Sequence, residues 1–292
     1  MSERLSVPGS VILFRNLHLE SSVYSLCPSY DSQFCFVGLA GGSVSQVCDD
    51  FILKKQFANM GQNVNGLCHT DDKLLGLVYK RRSVYSLESV HSATGGKQSD
   101  ARGDKLFQSI GGHVLKLACV KDQIIAPKPD RKTLCVYNLN GELRREISIS
   151  LLNQNTIGMA ANGGNLVVVA DKVNVYLVDI TEGGIVWTVT DIDEPCGVTF
   201  YQETVVMVAD SNSKVVMLDA STGESAVHLF AIAGPPQCPY CHLLIIIMPV
   251  SEFFFNMISV STLHSNPNTT VHTNSSLDIF LVKFVASSAV PL

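Results

Sequence analysis

The chain runs to 292 residues with a formal net charge of −5, 46% of them apolar and only 16% charged. That length can bury a large core in one or two domains, and the negative balance argues against bulk attraction to nucleic acid or acidic membranes. Residues 1–10 hold Glu3, Arg4 and Pro8 but no apolar core of a secretory signal, so the expected address is cytoplasmic, and the nine irregularly spaced cysteines read as mostly buried, reduced thiols.

The predicted elements are short strands. Val11-Ile12-Leu13-Phe14 forms a first apolar run. Three runs follow at Val23-Tyr24-Ser25-Leu26, Phe34-Cys35-Phe36-Val37 and Ser43-Val44-Ser45-Gln46. A second group comprises Val64-Asn65-Gly66-Leu67, Leu74-Leu75-Gly76-Leu77-Val78 and Val84-Tyr85-Ser86-Leu87. A polar insertion over 88–104 reads as a long surface loop, after which Leu106-Phe107 resumes the pattern. Arg102-Gly103-Asp104 within it spells an integrin-type tripeptide, which in a chain without an export signal reads as coincidence. The third group runs from 114–120 through Gln123-Ile124-Ile125-Ala126 and Leu134-Cys135-Val136-Tyr137 to a turn at Asn140-Gly141 and a strand over 143–149. Short runs of Val, Ile, Leu and Tyr bounded by Gly, Asn, Asp or Ser are the grammar of strands and turns.

The next two groups reveal a period. Gly158 and Gly197 are 39 residues apart, as are Asp171 and Asp210, while Asp179 and Asp219, and Gly183 and Gly223, are 40 apart. Leu166-Val167-Val168-Val169-Ala170-Asp171 thus aligns with Val205-Val206-Met207-Val208-Ala209-Asp210. A repeat of this length with several strands per copy predicts an all-β chain, a β-propeller of four-stranded blades. Five repeats are recognisable, and the blade number expected is six, with an incomplete or divergent last blade. The second strand of each copy is almost wholly apolar, which suits burial on both faces between neighbouring blades. Val11-Ile12-Leu13-Phe14 is then expected to add the outer strand of a closing blade.

Glu194-Pro195-Cys196-Gly197-Val198-Thr199-Phe200, followed by Val206-Met207-Val208-Ala209-Asp210-Ser211-Asn212-Ser213-Lys214-Val215, resembles the NHL repeat family. That family's pattern is a Pro-x-Gly-Val start, a Val-Ala-Asp-Ser-x-Asn core and a hydrophobic strand ending near Gly. Val169-Ala170-Asp171 fits it in part, the first three copies match only in topology, and Lys128 stands where the third copy should carry the Asp. The resemblance implies a six-bladed propeller used for protein or RNA recognition, common in tripartite-motif ubiquitin ligases. No RING or B-box pattern precedes the repeats, so ligase activity is not implied here. The rival WD-repeat family would show Gly-His and Trp-Asp pairs, whereas Trp187 stands alone.

After Phe230 the period stops, which divides the chain into a propeller over 1–230 and a tail over 231–292 that reads as an incomplete blade or disordered. The tail carries Pro235-Pro236, an apolar stretch over 243–250, Phe253-Phe254-Phe255 and a Ser/Thr/Asn-rich run. Pro249, Glu252 and Asn256 make the apolar stretch a poor membrane span. Cys238-Pro239-Tyr240-Cys241-His242 resembles both a glutaredoxin motif and a haem-attachment motif. Neither a thioredoxin-like βαβ frame nor a second metal-ligand pair accompanies it, so it is assigned no chemistry.

The regularly placed acids Asp171, Asp210, Asp179 and Asp219 end strands, where Asp commonly binds the backbone amides of the next turn. No catalytic triad or phosphate loop stands out, and neither cofactor nor metal is expected. The loops joining second to third strands hold Lys80, Arg81, Arg82, Lys128, Arg131, Lys132, Lys172 and Lys214 against Asp130, Asp171 and Asp210, a balance of +5. Asp191, Asp193 and Glu194 share that face and concentrate the excess over the second and third copies, at Lys80, Arg81, Arg82, Lys128, Arg131 and Lys132. The expected function is non-catalytic binding of a protein or peptide through this face. Single-stranded RNA is the first alternative, although only Tyr79 offers a stacking ring nearby. A gluconolactonase-like metal-dependent hydrolase is the second.

Overall fold

The computed structural model describes residues 10–19, 23–28, 34–48, 53–70, 73–78, 83–87, 104–108, 116–128, 130, 132–149, 156, 158–201, 203–210, 215–229, 244–249, 256–259 and 277–285. Strand β1 (Ser10–Leu19) comes first. Five antiparallel sheets of four strands then follow one another along the chain. They are β2 (Val23–Pro28) to β5 (Leu53–Asn59), through β3 (Phe34–Leu39) and β4 (Ser43–Cys48); and β6 (Val64–His69) to β9 (Asp104–Gln108), through β7 (Leu74–Val78) and β8 (Ser83–Leu87). The third is β10 (Ala118–Val120), β11 (Gln123–Pro127), β12 (Thr133–Asn138) and β13 (Leu143–Ser148). The fourth is β14 (Gly158–Ala161), β15 (Leu166–Ala170), β16 (Val175–Asp179) and β17 (Gly184–Val189), and the fifth β18 (Pro195–Tyr201), β19 (Val205–Asp210), β20 (Val215–Asp219) and β21 (Ser225–Leu229).

A further sheet mixes both ends of the chain. Its strands β22 (Leu244–Pro249), β23 (Asn256–Ser259) and β24 (Leu277–Val285) come from the region where the period stops. The order is β1-β24-β22-β23, with β1 antiparallel to β24 and β24 parallel to β22. The parallel pair departs from the pattern of the other five sheets, and it arises because β22 and β23 form a hairpin before the chain returns along β22 as β24.

The 39-residue spacing holds at the level of pairing: Gly158 lies opposite Ala170, and Gly197 opposite Ala209. Period-two alternation explains the core. Val167 and Val169 face the third sheet, packing with Ile125, Leu134 and Val136, whereas Val168 and Ala170 face the fifth, packing with Val206 and Val208. In the second sheet Leu74 and Val78 pack with Phe36 and Val44, while Leu75 and Leu77 pack with Ile124 and Ala126. The second strands are therefore almost wholly apolar, because each is buried on both sides. The first strands touch in turn, β2 against β6, β6 against β10, β10 against β14 and β14 against β18, while β23 lies against both β18 and β2.

One expectation needs correction. Asp104, placed in the insertion over 88–104, begins β9 and pairs with Ser86; the rest of the insertion lies outside the described residues. Cys27, Cys35 and Cys135 are buried thiols, in line with the mostly reduced reading, while Cys68 on β6 and Cys119 on β10 form a disulfide, with Cα atoms 5.8 Å apart. Adjacent first strands bring these two side chains face to face, a proximity that compartment and spacing could not reveal.

Candidate binding face and channel

Antiparallel pairing puts the connections between second and third strands at one end of the sheets, together with those that enter each first strand. The regularly spaced acids shape both ends. Asp171, fully buried, accepts hydrogen bonds at Oδ1 from the backbone N–H groups of Val173 and Asn174, both at 2.7 Å. Its Oδ2 faces the Tyr176 hydroxyl at 3.3 Å. Burial, opposed by the hydrogen bond from Asn174 and reinforced by the charge of Asp171, pushes the Tyr176 phenol up to about 12. At the opposite end Asp179 accepts from the amides of Thr181 and Glu182, and Asp219 from those of Ser221 and Thr222. The Ser221 hydroxyl and these amides hold the Asp219 carboxyl below its ordinary range. As the sequence suggested, these three acids serve their own turns.

The third sheet shows how a departure from the repeat is absorbed. Lys128 occupies the position of Asp171, and both oxygens of Glu146 on β13 accept from its Nζ at 2.9 Å. Asp130 takes over the turn, accepting from the Lys132 amide and the Thr133 hydroxyl at 2.8 Å each. The charge of Lys128 is thus paired within its own sheet, while the Lys132 side chain is exposed. Lys80, Arg81, Arg82 and Arg131 lie outside the described residues, so among the six candidate cations the structure locates Lys128 and Lys132.

A further basic residue was missed. A cavity of ≈ 60 Å³ opens between the first strands, lined by Ser25, Asn65, Gly66, Lys116, Gly158 and Gly197 among others. Ser25, Gly66, Lys116, Gly158 and Gly197 are equivalent positions of five successive copies. Four are small and the third is a lysine. Gly66 has to be small, since a Cβ there would stand 3.0 Å from the Leu117 backbone nitrogen. Lys116 extends across the cavity and donates to the Tyr24 carbonyl at 3.3 Å. Burial lowers its ammonium to about 8. Because Lys116 precedes β10, it sits at the same end as Lys128 and Lys132. Aligning the copies on their first-strand glycines would have exposed this lysine; reading the run 114–120 only as a strand concealed it.

The structure also gives Trp187 a partner. Its Nε1–H donates to the Ala220 carbonyl at 2.9 Å, and its ring lies over the Gly223 turn of the next sheet. Arg145, at the matching place on β13, donates to the carbonyls of Ile180, Thr181 and Glu182 around Gly183. Strands β13 and β17 thereby each latch onto the following sheet's hairpin. The motif from Cys238 to His242 lies outside the described residues, as does Lys214.

No known family model matches the chain, and no curated protein is similar to it in sequence. Solved structures do resemble it. The WD40 β-propeller domain of Doa1 superposes with a TM-score of 0.55 at 12% identity, covering 72% of this chain and 69% of that one. A chain of the nidogen/laminin complex superposes with a TM-score of 0.56 at 10% identity, covering 72% of this chain and 80% of that one. At such identities the likeness concerns fold alone: the architecture is of the β-propeller class. Among the described residues no helix is long and apolar enough to cross a membrane.

Proposed function

We propose that the chain is a six-bladed, NHL-like propeller acting as a non-catalytic interaction module, which binds a protein or peptide partner through the end bearing Lys128 and Lys132. The sequence of first-strand contacts, running from β2 to β18 and back to β2 through β23, supports a ring closed by β1 and the tail strands. The observation that carries the functional reading is the engagement of the ordered acids. Oδ1 of Asp171, Asp179 and Asp219 each accepts from two turn amides, which stiffens the loops. One fold neighbour was itself solved in a protein complex, that of nidogen with laminin.

The test replaces Arg81, Arg82, Arg131 and Lys132 together with Glu in the full chain and compares partner capture with the wild type. Binding should fall severalfold while the unfolding midpoint moves little, since exposed charges contribute about 0–1 kcal/mol each. Capture that survives the reversals would move the site elsewhere. Capture abolished by ribonuclease, with affinity falling steeply in salt, would replace the protein partner by single-stranded RNA.

A further inference from the structure

We propose that the channel mouth at Lys116 is a carboxylate-binding site. The cavity is lined from five successive sheets, and the polar side chains among its lining residues are those of Ser25, Asn65 and Lys116. An ammonium has three N–H donors, and this one uses a single hydrogen bond, to the Tyr24 carbonyl at 3.3 Å. Among the described residues no carboxylate pairs with it, and strand β23, which completes the circuit of first strands, contains Asn256, Met257, Ile258 and Ser259 and no acid. A partly buried cation without a counter-charge is costly, and an arriving anion reduces that cost.

A second group in the same cavity is also incomplete. Asn65 is 5% exposed, and its buried Oδ1 has no hydrogen-bond partner. A carboxamide carries both an acceptor and donors, so it suits the N–H or hydroxyl that accompanies a carboxylate on a peptide or a small organic acid. A cavity of ≈ 60 Å³ has room for a carboxylate and its attached carbon. A single ammonium matches a single negative charge, whereas phosphate sites generally gather several donors. The site stands independently of the loop cations, because Lys116 belongs to the channel wall.

The amide resonances of Gly66, Gly158 and Gly197 in the full chain report on it. They should shift saturably with acetate and with an acetylated Gly-Glu-Gly peptide, but not with acetamide or the Gly-Gln-Gly counterpart. Lys116→Met should weaken acetate binding about tenfold or more, the cost of a lost charge-assisted hydrogen bond. Asn65→Leu should weaken the peptide more than acetate. Response to acetate alone would assign the carboxylate to a free small acid, and response to both to a partner's side chain or chain end. No saturable shift in the wild type, or equal shifts in the wild type and Lys116→Met, would overturn the site. Because the quadruple loop reversal leaves the channel wall intact, acetate should still bind it, which separates failure of this site from failure of the loop-end reading.

Discussion

The side chain of Trp187 illustrates how much a single residue contributes to holding neighbouring sheets together. It is half-buried, bonded to the Ala220 carbonyl and stacked on a glycine turn. Trp187→Ala should cost about 2–4 kcal/mol, from lost ring burial and an unpaired carbonyl, read as a lower urea midpoint. Gly223→Ala should be destabilising too, because the residue has φ +74° and its Cβ would press on that ring. Lys116 makes a prediction with a definite sign. Its folded value of about 8 lies below that of an unfolded lysine, so between the two the unfolded chain binds more protons and stability rises with pH. The buried thiols of Cys27 and Cys35 and the Tyr176 phenol are shifted upward by burial and oppose this rise above pH 8. The difference between wild type and Lys116→Met isolates the lysine. That variant should be the more stable at pH 7, by on the order of 1–3 kcal/mol, and the gap should close as pH passes from about 8 towards 10.5. A gap independent of pH would show that Lys116 is fully hydrated.

At the scale of elements, the strands were legible because both faces of the middle strands are apolar and the turns carry Asp or Gly at fixed spacing. The pairing of Gly158 with Ala170 and Gly197 with Ala209 reproduces the sequence period directly. Turn chemistry was legible too, since Asp171 and Asp179 bind the amides that strand-ending acids ordinarily bind. Side-chain contacts across strands and between sheets were not. The Cys68–Cys119 disulfide, the Lys128–Glu146 pair and the Arg145 latch join residues whose proximity depends on how sheets and strands pack. Periodicity within a copy carries no information about them. Lys116 was hidden for a related reason: its meaning appears only against the small residues at equivalent places in the other copies. Asp171→Ala tests the turn logic, and should cost about 1–3 kcal/mol by leaving the Val173 amide and the buried Asn174 amide without their acceptor.

For the whole molecule, the proposed ring depends on strands drawn from both ends of the chain. Deleting residues 1–19 removes β1 and bares the edge of β24 that it covers. Such an edge is a template for association, so the truncated chain should unfold earlier and aggregate at concentrations where the full chain stays dispersed. Unchanged unfolding would remove β1 from the ring. The loop-end reading itself is tested most directly by site-specific crosslinking in cells, with a photoreactive phenylalanine at Lys132 on the proposed binding end or at Thr222 in the hairpin between β20 and β21, on the other end. Protein adducts should form from position 132 and not from 222. Adducts from 222 alone, or RNA adducts in place of protein at 132, would contradict it.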